Sequence, residues 1–108
     1  MDTRLGEFEQ LVLLALVRLG DEAYGVSVQR EIEARTRREA SFGTVYTTLA
    51  RLEAKGFIGS HLGEPTAERG GRRKKHFVIE RAGRRALQRS LRALRVMARG
   101  LDASLGTP

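Results

Sequence analysis

The stretch "SFGTVYTTLARLEAKGFIGSHLG", Ser41 to Gly63, changes its hydrophobic period partway along. Over its first half, Val45, Leu49 and Leu52 fall at i, i+4 and i+7, which is one narrow apolar stripe on an α-helix. Ser41 is placed to cap that helix, and Gly56 stands where a helix commonly ends in left-handed backbone. After Gly56 the period becomes two, with Ile58, Ser60 and Leu62 on one side of an extended segment. On the helical wheel the side opposite the stripe carries Thr44, Thr47, Arg51, Ala54 and Lys55, and the single acid, Glu53, lies off it. A face that is small, hydroxylated and basic can enter a groove and meet base edges and phosphates.

Downstream, "KHFVIE" places Phe77 and Ile79 on one side and Val78 on the other, so a second strand is predicted. Between the strands, "EPTAERGGRRKKHF" (Glu64 to Phe77) gathers Arg69, Arg72, Arg73, Lys74 and Lys75, a quarter of the 20 Lys and Arg in the chain. This run is read as a hairpin loop. Gly70 and Gly71 give its tip backbone freedom, and Pro65 holds its base extended. Arginines on such a loop reach phosphates or a minor groove. Lys74 and Lys75 point to opposite faces of the strand, so one of the two is expected to meet the polyanion. His61 and His76 lie on the adjacent strands, and a surface pair is expected of them, since two histidines without a third ligand make a poor metal site.

Upstream, Phe8, Leu11, Val12, Ala15, Leu16 and Leu19 define a helix from Leu5 to Leu19, ended by Gly20. Leu13, Leu14 and Val17 give it a second apolar face, which calls for two things to pack against, its own core and a partner chain. "DEAYGVSVQREIEARTRRE", from Asp21, predicts another helix with Val26 and Ile32 inward, Val28 as a further candidate, and the Tyr24 ring packed at its start. At the other end, Ala82 to Leu105 is predicted helical. Leu87, Leu91, Leu94, Ala98, Leu101 and Leu105 alternate spacings of four and three, a heptad seam. About 20 helical residues span about 30 Å, more than a small domain covers. The seam is therefore read as a dimer contact made by Leu87, Leu91, Leu94, Ala98 and Leu101 together with Leu13 and Val17. The other reading is a terminal helix lying on its own domain. The closing "GTP" is a frayed terminus and no nucleotide motif.

The chain has 108 residues, a net charge of +7 and no cysteine. That length suits one domain, and the lack of cysteine removes disulfides, thiolate metal sites and cysteine nucleophiles. Residues 1–40 carry a net −2 and residues 41–108 a net +9, an asymmetry that suggests a polyanion partner. "LVLLALV" (Leu11 to Val17) is too short for a membrane span, so a cytoplasmic, nucleoid-associated location and no membrane contact are expected. No serine, histidine and carboxylate share a local spacing, and "GEPTAERGG" lacks the lysine-serine/threonine ending of a phosphate-binding loop. An enzyme and a cofactor are accordingly not expected.

The element order is helix, helix, helix, strand, long loop, strand, helix. The fold class expected is mainly α with a small β-hairpin: a winged helix-turn-helix in residues 1–80, then a C-terminal dimerisation helix and frayed tail in residues 81–108, forming one compact unit. At "EAYGVSVQREIE", "GTVYTTLARLEAKGFI" and "GEPTAERGGRRKKHFVIERAGRRAL" the chain resembles the PadR family of bacterial winged-helix transcriptional regulators. The likeness runs from about Leu5 to beyond Leu87. It is carried by Tyr24-Gly25, Gly43, Val45-Tyr46, Leu49, Leu52-Glu53, Gly56-Phe57-Ile58, Gly70-Gly71-Arg72, Phe77 and Ala82-Gly83. The resemblance is to the short type with a single C-terminal helix. It implies a homodimer on operator DNA, usually a repressor, with the third helix in the major groove and the wing beside it.

The DNA-binding set expected is Ser41, Gly43, Thr44, Tyr46, Thr47, Thr48, Arg51 and Lys55 from the third helix, with Arg69, Arg72, Arg73 and Lys74 from the wing. The expected partners are double-stranded DNA bearing a pseudo-palindromic operator and a second copy of the chain. A small-molecule effector between the first and last helices stays open, although no polar cluster signals one. Two other classes compete: a small basic RNA- or ribosome-associated protein, which would show stacking aromatics on an exposed sheet, and a protein-interaction module, against which the basic wing argues.

Overall fold

The computed structural model describes residues 4–65 and 73–106. Helix α1 (Glu7–Leu19) leads through a short 3₁₀ turn (Gly20–Glu22) into α2 (Gly25–Thr36) and α3 (Phe42–Ala54). Strands β1 (Ile58–Pro65) and β2 (Arg73–Ile79) form one antiparallel hairpin, followed by α4 (Arg81–Ala98) and the single turn α5 (Asp102–Leu105). This is the mainly helical winged helix-turn-helix that the sequence pattern predicts.

The core gathers one face from each element. Val12, Leu13, Ala15 and Leu16 of α1 meet Val28 and Ile32 of α2 and Val45, Leu49 and Leu52 of α3. Phe57, Ile58 and Phe77 close it from the hairpin, and Ala86 and Leu87 from α4. In α2 the inward valine is Val28, while Val26 is exposed. Val26 and Ile32 are six residues apart, about 240° around a helix, so they cannot share a face; Val28 and Ile32, four apart, can.

Leu13 is fully buried inside the protomer, and Leu87 nearly so. Neither is available to a partner chain, which corrects that part of the dimer set expected from the sequence. The reason is geometric: α1 lies across the centre of the domain, and its second apolar face is covered except at Val17.

The terminal helix also differs from expectation. It stops at Ala98, and Gly100 takes a left-handed φ of 79° before α5 begins. The seam from Leu87 to Leu105 is thus broken before its last two leucines. Among the described residues, no helix is long and apolar enough to cross a membrane.

Candidate nucleic-acid interface

Helices α2 and α3 are joined by a tight five-residue turn. Arg37 caps α2 in left-handed backbone with φ 57°, its amide donating to the Glu33 carbonyl at 3.0 Å. Two side chains of α2 then grip the turn. Gln29 Nε2 donates to the Ala40 carbonyl at 2.7 Å, and Glu33 Oε2 accepts from the Ala40 amide at 3.0 Å. With Ala40 buried between them, the angle between α2 and α3 is fixed by a donor and an acceptor on one residue.

Ser41 caps α3 as expected. Its Oγ accepts from the Thr44 amide at 3.1 Å and donates to Thr44 Oγ1 at 2.8 Å. Its hydroxyl is therefore engaged in the cap. At the other end Gly56 adopts φ 78° beyond the C-cap Lys55, the left-handed glycine expected there. With Val45, Leu49 and Leu52 fully buried, the helix cannot roll, and its outer face is held in one orientation.

That outer face forms an open concave surface lined by Ser41, Gly43, Thr44, Thr47, Thr48 and Arg51. Gly43, Thr44, Thr47 and Arg51 are exposed on it. Thr48 is not, which corrects its place among expected DNA contacts: it is buried, and its hydroxyl donates to the Thr44 carbonyl at 2.8 Å. At the edge of the core stripe, Thr48 forms the floor of the concavity and not a contact. Gly43 has the opposite character. A Cβ built there would meet nothing within 4 Å, so nothing within the protomer demands a glycine.

Lys55 is also corrected. Its Nζ pairs with Glu9 Oε2 of α1 at 2.9 Å, and it lies 5.9 Å above the Phe57 ring centroid. Glu9 is almost wholly buried and accepts from the Gly6 amide at 2.9 Å. Burial alone would raise the Glu9 carboxyl, but the Lys55 hydrogen bond, the Gly6 amide and the charges of Lys55 and Arg51 outweigh it, leaving the group below the usual glutamate range. Lys55 therefore neutralises a buried acid and ties α1 to the end of α3. No local spacing signals this pair, because its members are 46 positions apart.

Across the turn, Tyr46 is exposed and its ring lies 5.4 Å from that of Phe42, which is equally exposed at 43%. Phe42 is a surface aromatic that the sequence reading passed over. It begins α3 ahead of the polar face and outside the apolar stripe, so neither pattern captures it.

The hairpin stands beside this helix. His61 and His76 are direct register partners, their rings near-parallel and 5.6 Å apart, so the expected pairing is present. His76 Nδ1 lies 2.8 Å from the Asp21 carbonyl, and the Tyr24 ring meets His76 edge-on at 5.6 Å. Lys74 and Lys75 do diverge. Lys74 Nζ stands 4.2 Å over the Tyr24 ring, whereas Lys75 turns to Glu53 at 3.5 Å and to the Phe77 ring. The Ser60 hydroxyl donates to Glu53 at 2.5 Å, and this bond with the Lys75 charge lowers the Glu53 carboxyl against the opposing pull of burial. Arg73 is exposed, its Nε donating to the Gly63 carbonyl at 2.8 Å. Arg69 and Arg72 lie outside the described residues. Among the described residues, no three His, Cys, Asp or Glu side chains are grouped to hold a metal.

Exposed apolar side chains collect on α4 and beyond it. Leu94 is 58% exposed and Met97 77%, with Ala98 and Leu101 also open and Leu91 partly covered. Val17 of α1 is the exposed remainder of that helix's second face.

Comparison with known proteins agrees with this architecture. A PadR family transcription regulator from hypervirulent Clostridium difficile superposes with a TM-score of 0.71 at 27% identity, over 94% of this chain and all of that one. A PadR family transcriptional regulator from Eggerthella lenta gives 0.68 at 26% identity, over 94% of this chain and 88% of that one. A PadR-like transcriptional regulator from Bacillus cereus, 19% identical, shares the fold with a TM-score of 0.72, over 94% and 93% of the two chains. Comparison with curated proteins gives no match. Residues 13–89, which span α2, α3 and the hairpin with most of α1 and half of α4, match the Transcriptional regulator PadR-like family. The chain thus belongs to the PadR-like family of transcriptional regulators, and it is a DNA-binding regulator, not an enzyme.

Proposed function

We propose that the protein is a homodimeric repressor that binds a pseudo-palindromic operator in double-stranded DNA. The observation that carries this reading is the outer face of α3. There Thr44, Thr47 and Arg51 are exposed around a concavity, on a helix locked from beneath by Val45, Leu49 and Leu52. A rigid helix can hold a hydroxyl or a guanidinium against one base pair, which a flexible loop cannot. Gly43 supports the same reading, since a glycine that the protomer does not require leaves room for DNA to approach the backbone. Arg73, and Arg69 and Arg72 by sequence, suit phosphates or groove shape.

The dimer reading rests on Leu94, Met97 and Leu101, an apolar stripe in water on the protomer, with Val17. Two-fold symmetry then places two α3 helices on successive major grooves, about 34 Å apart. Repression needs only occupancy, because a protein seated across two adjacent grooves excludes the transcription machinery from the same DNA.

Selection of bound duplexes from a random pool tests the reading. A two-fold symmetric motif with half-sites about one helical turn apart is expected. A reporter promoter carrying it should fall silent when the protein is supplied. Uniform binding to all duplexes, or preference for single-stranded RNA over duplex DNA, would reject it.

A further inference from the structure

We infer that Phe42 reads a thymine methyl group in each half-site of the operator; this rests on the proposed seating of α3 in the major groove. Phe42 is the first residue of α3, and in helix-turn-helix proteins it is the N-terminal part of the recognition helix that meets base edges. Its ring is 43% exposed, in contact with Tyr46 at 5.4 Å and flanking the concavity of Ser41, Gly43, Thr44, Thr47 and Arg51. An open phenyl ring is out of place on a polar, basic surface unless something apolar meets it there. The major-groove edge of DNA presents one apolar group, the C5-methyl of thymine, and phenylalanine is among the side chains that contact it.

The ring is also held still. Beneath it lies buried Gly25, the first residue of α2; a Cβ there would stand 3.1 and 3.3 Å from two Phe42 ring carbons and 3.6 Å from Tyr46 Cδ2. The bare backbone of Gly25 thus seats the aromatic pair directly on α2. A ring fixed against both helices of the motif can select one position in a half-site, which a freely rotating side chain cannot.

The test replaces each thymine of the selected operator in turn by deoxyuridine, which lacks only that methyl, and titrates wild type, Phe42→Ala and Phe42→Leu. One thymine per half-site should show about fourfold weaker wild-type binding on replacement, the factor equivalent to burying one methyl at about 0.8 kcal/mol. Phe42→Ala should bind the thymine and uracil duplexes alike, and Phe42→Leu should recover part of the preference. Tyr46 remains in every variant, and circular dichroism confirms the fold, since an exposed side chain is being cut. Equal loss by Phe42→Ala on both duplexes, or no thymine at which methyl and ring depend on each other, overturns the inference. Failure of the wild type to prefer the operator over scrambled duplex would instead overturn the seating of α3, so the two failures are separable.

Discussion

Two glycines in helices make opposite demands on the protein. Gly83, in the first turn of α4, is buried, and a Cβ there would lie 2.1 Å from the Phe57 carbonyl oxygen, which also accepts from the Glu80 amide at 2.9 Å. The obstacle is backbone and cannot swing aside. Gly83→Ala should therefore lift α4 from the domain and cost about 1–3 kcal/mol, lowering Tm by on the order of 10 °C; a thermal scan with an unchanged midpoint would refute this docking. Gly43 meets nothing, and glycine inside a helix is about 0.5–1 kcal/mol less favourable than alanine. Gly43→Ala should raise thermal stability by up to that amount while weakening operator binding. A variant that gains stability and keeps full affinity would show that DNA does not approach this backbone. Neither role is legible in the sequence, where both are one glycine among twelve. The caps at Ser41 and Gly56 were legible because they are local, set by residues three or four apart. Lys55 was misplaced because its partner, Glu9, comes from another helix and wheel geometry carries no such information.

At the scale of elements, α3 and the hairpin divide the work between reading and positioning. Arg51 projects from a helix whose other side is fully buried. Arg51→Ala should cost about 1–3 kcal/mol on the operator and much less on random DNA. Arg72→Ala combined with Arg73→Ala should weaken all duplexes nearly alike and flatten the slope of log affinity against log salt by up to about 0.9 per lost phosphate contact. Titrations on specific and scrambled duplexes at several salt concentrations separate the two; the assignment fails if the wing pair alters sequence preference while Arg51→Ala acts uniformly. The element order was readable because hydrophobic period switches from 3.6 to 2 at Gly56 and back after Ile79. The phase of α2 was not. That helix starts at Gly25, set by the Tyr24 amide donating to Ser27 Oγ at 2.9 Å, and the preceding acids Asp21 and Glu22 belong to a separate turn.

For the whole molecule, shape and charge point outward. The radius of gyration is 15.7 Å and the longest extent 54 Å. A compact chain of this length has a radius of about 13 Å. The excess reflects the second half of α4, whose side chains from Arg92 to Arg99 are all exposed. Since Leu94 is already in water on the protomer, Leu94→Glu leaves the domain core untouched but sets a charge into the proposed dimer seam, at a cost of several kcal/mol if it stays buried. Sedimentation should show monomer with an unchanged circular dichroism spectrum, and a variant still dimeric at micromolar concentration would move the interface elsewhere. The chain signals this helix by its heptad spacing, but spacing alone does not locate the stop at Ala98, which Gly100 imposes through its backbone.

The stop at Ala98 leaves Leu101 and Leu105 on a single turn of helix, open to water. One turn does not persist unaided, because nucleating a helix fixes several residues for one hydrogen bond. On an isolated protomer the amides of Leu105 and Gly106 should therefore trade hydrogen for deuterium nearly as fast as in an unstructured peptide, while those of α3 wait for global opening. If a second copy covers this tail, its exchange slows in proportion to how much of the protein is paired. Deuterium uptake at the last few amides, followed from nanomolar to micromolar protein, would then trace self-association without a label. Uptake that does not change with concentration would leave the tail outside the pairing surface.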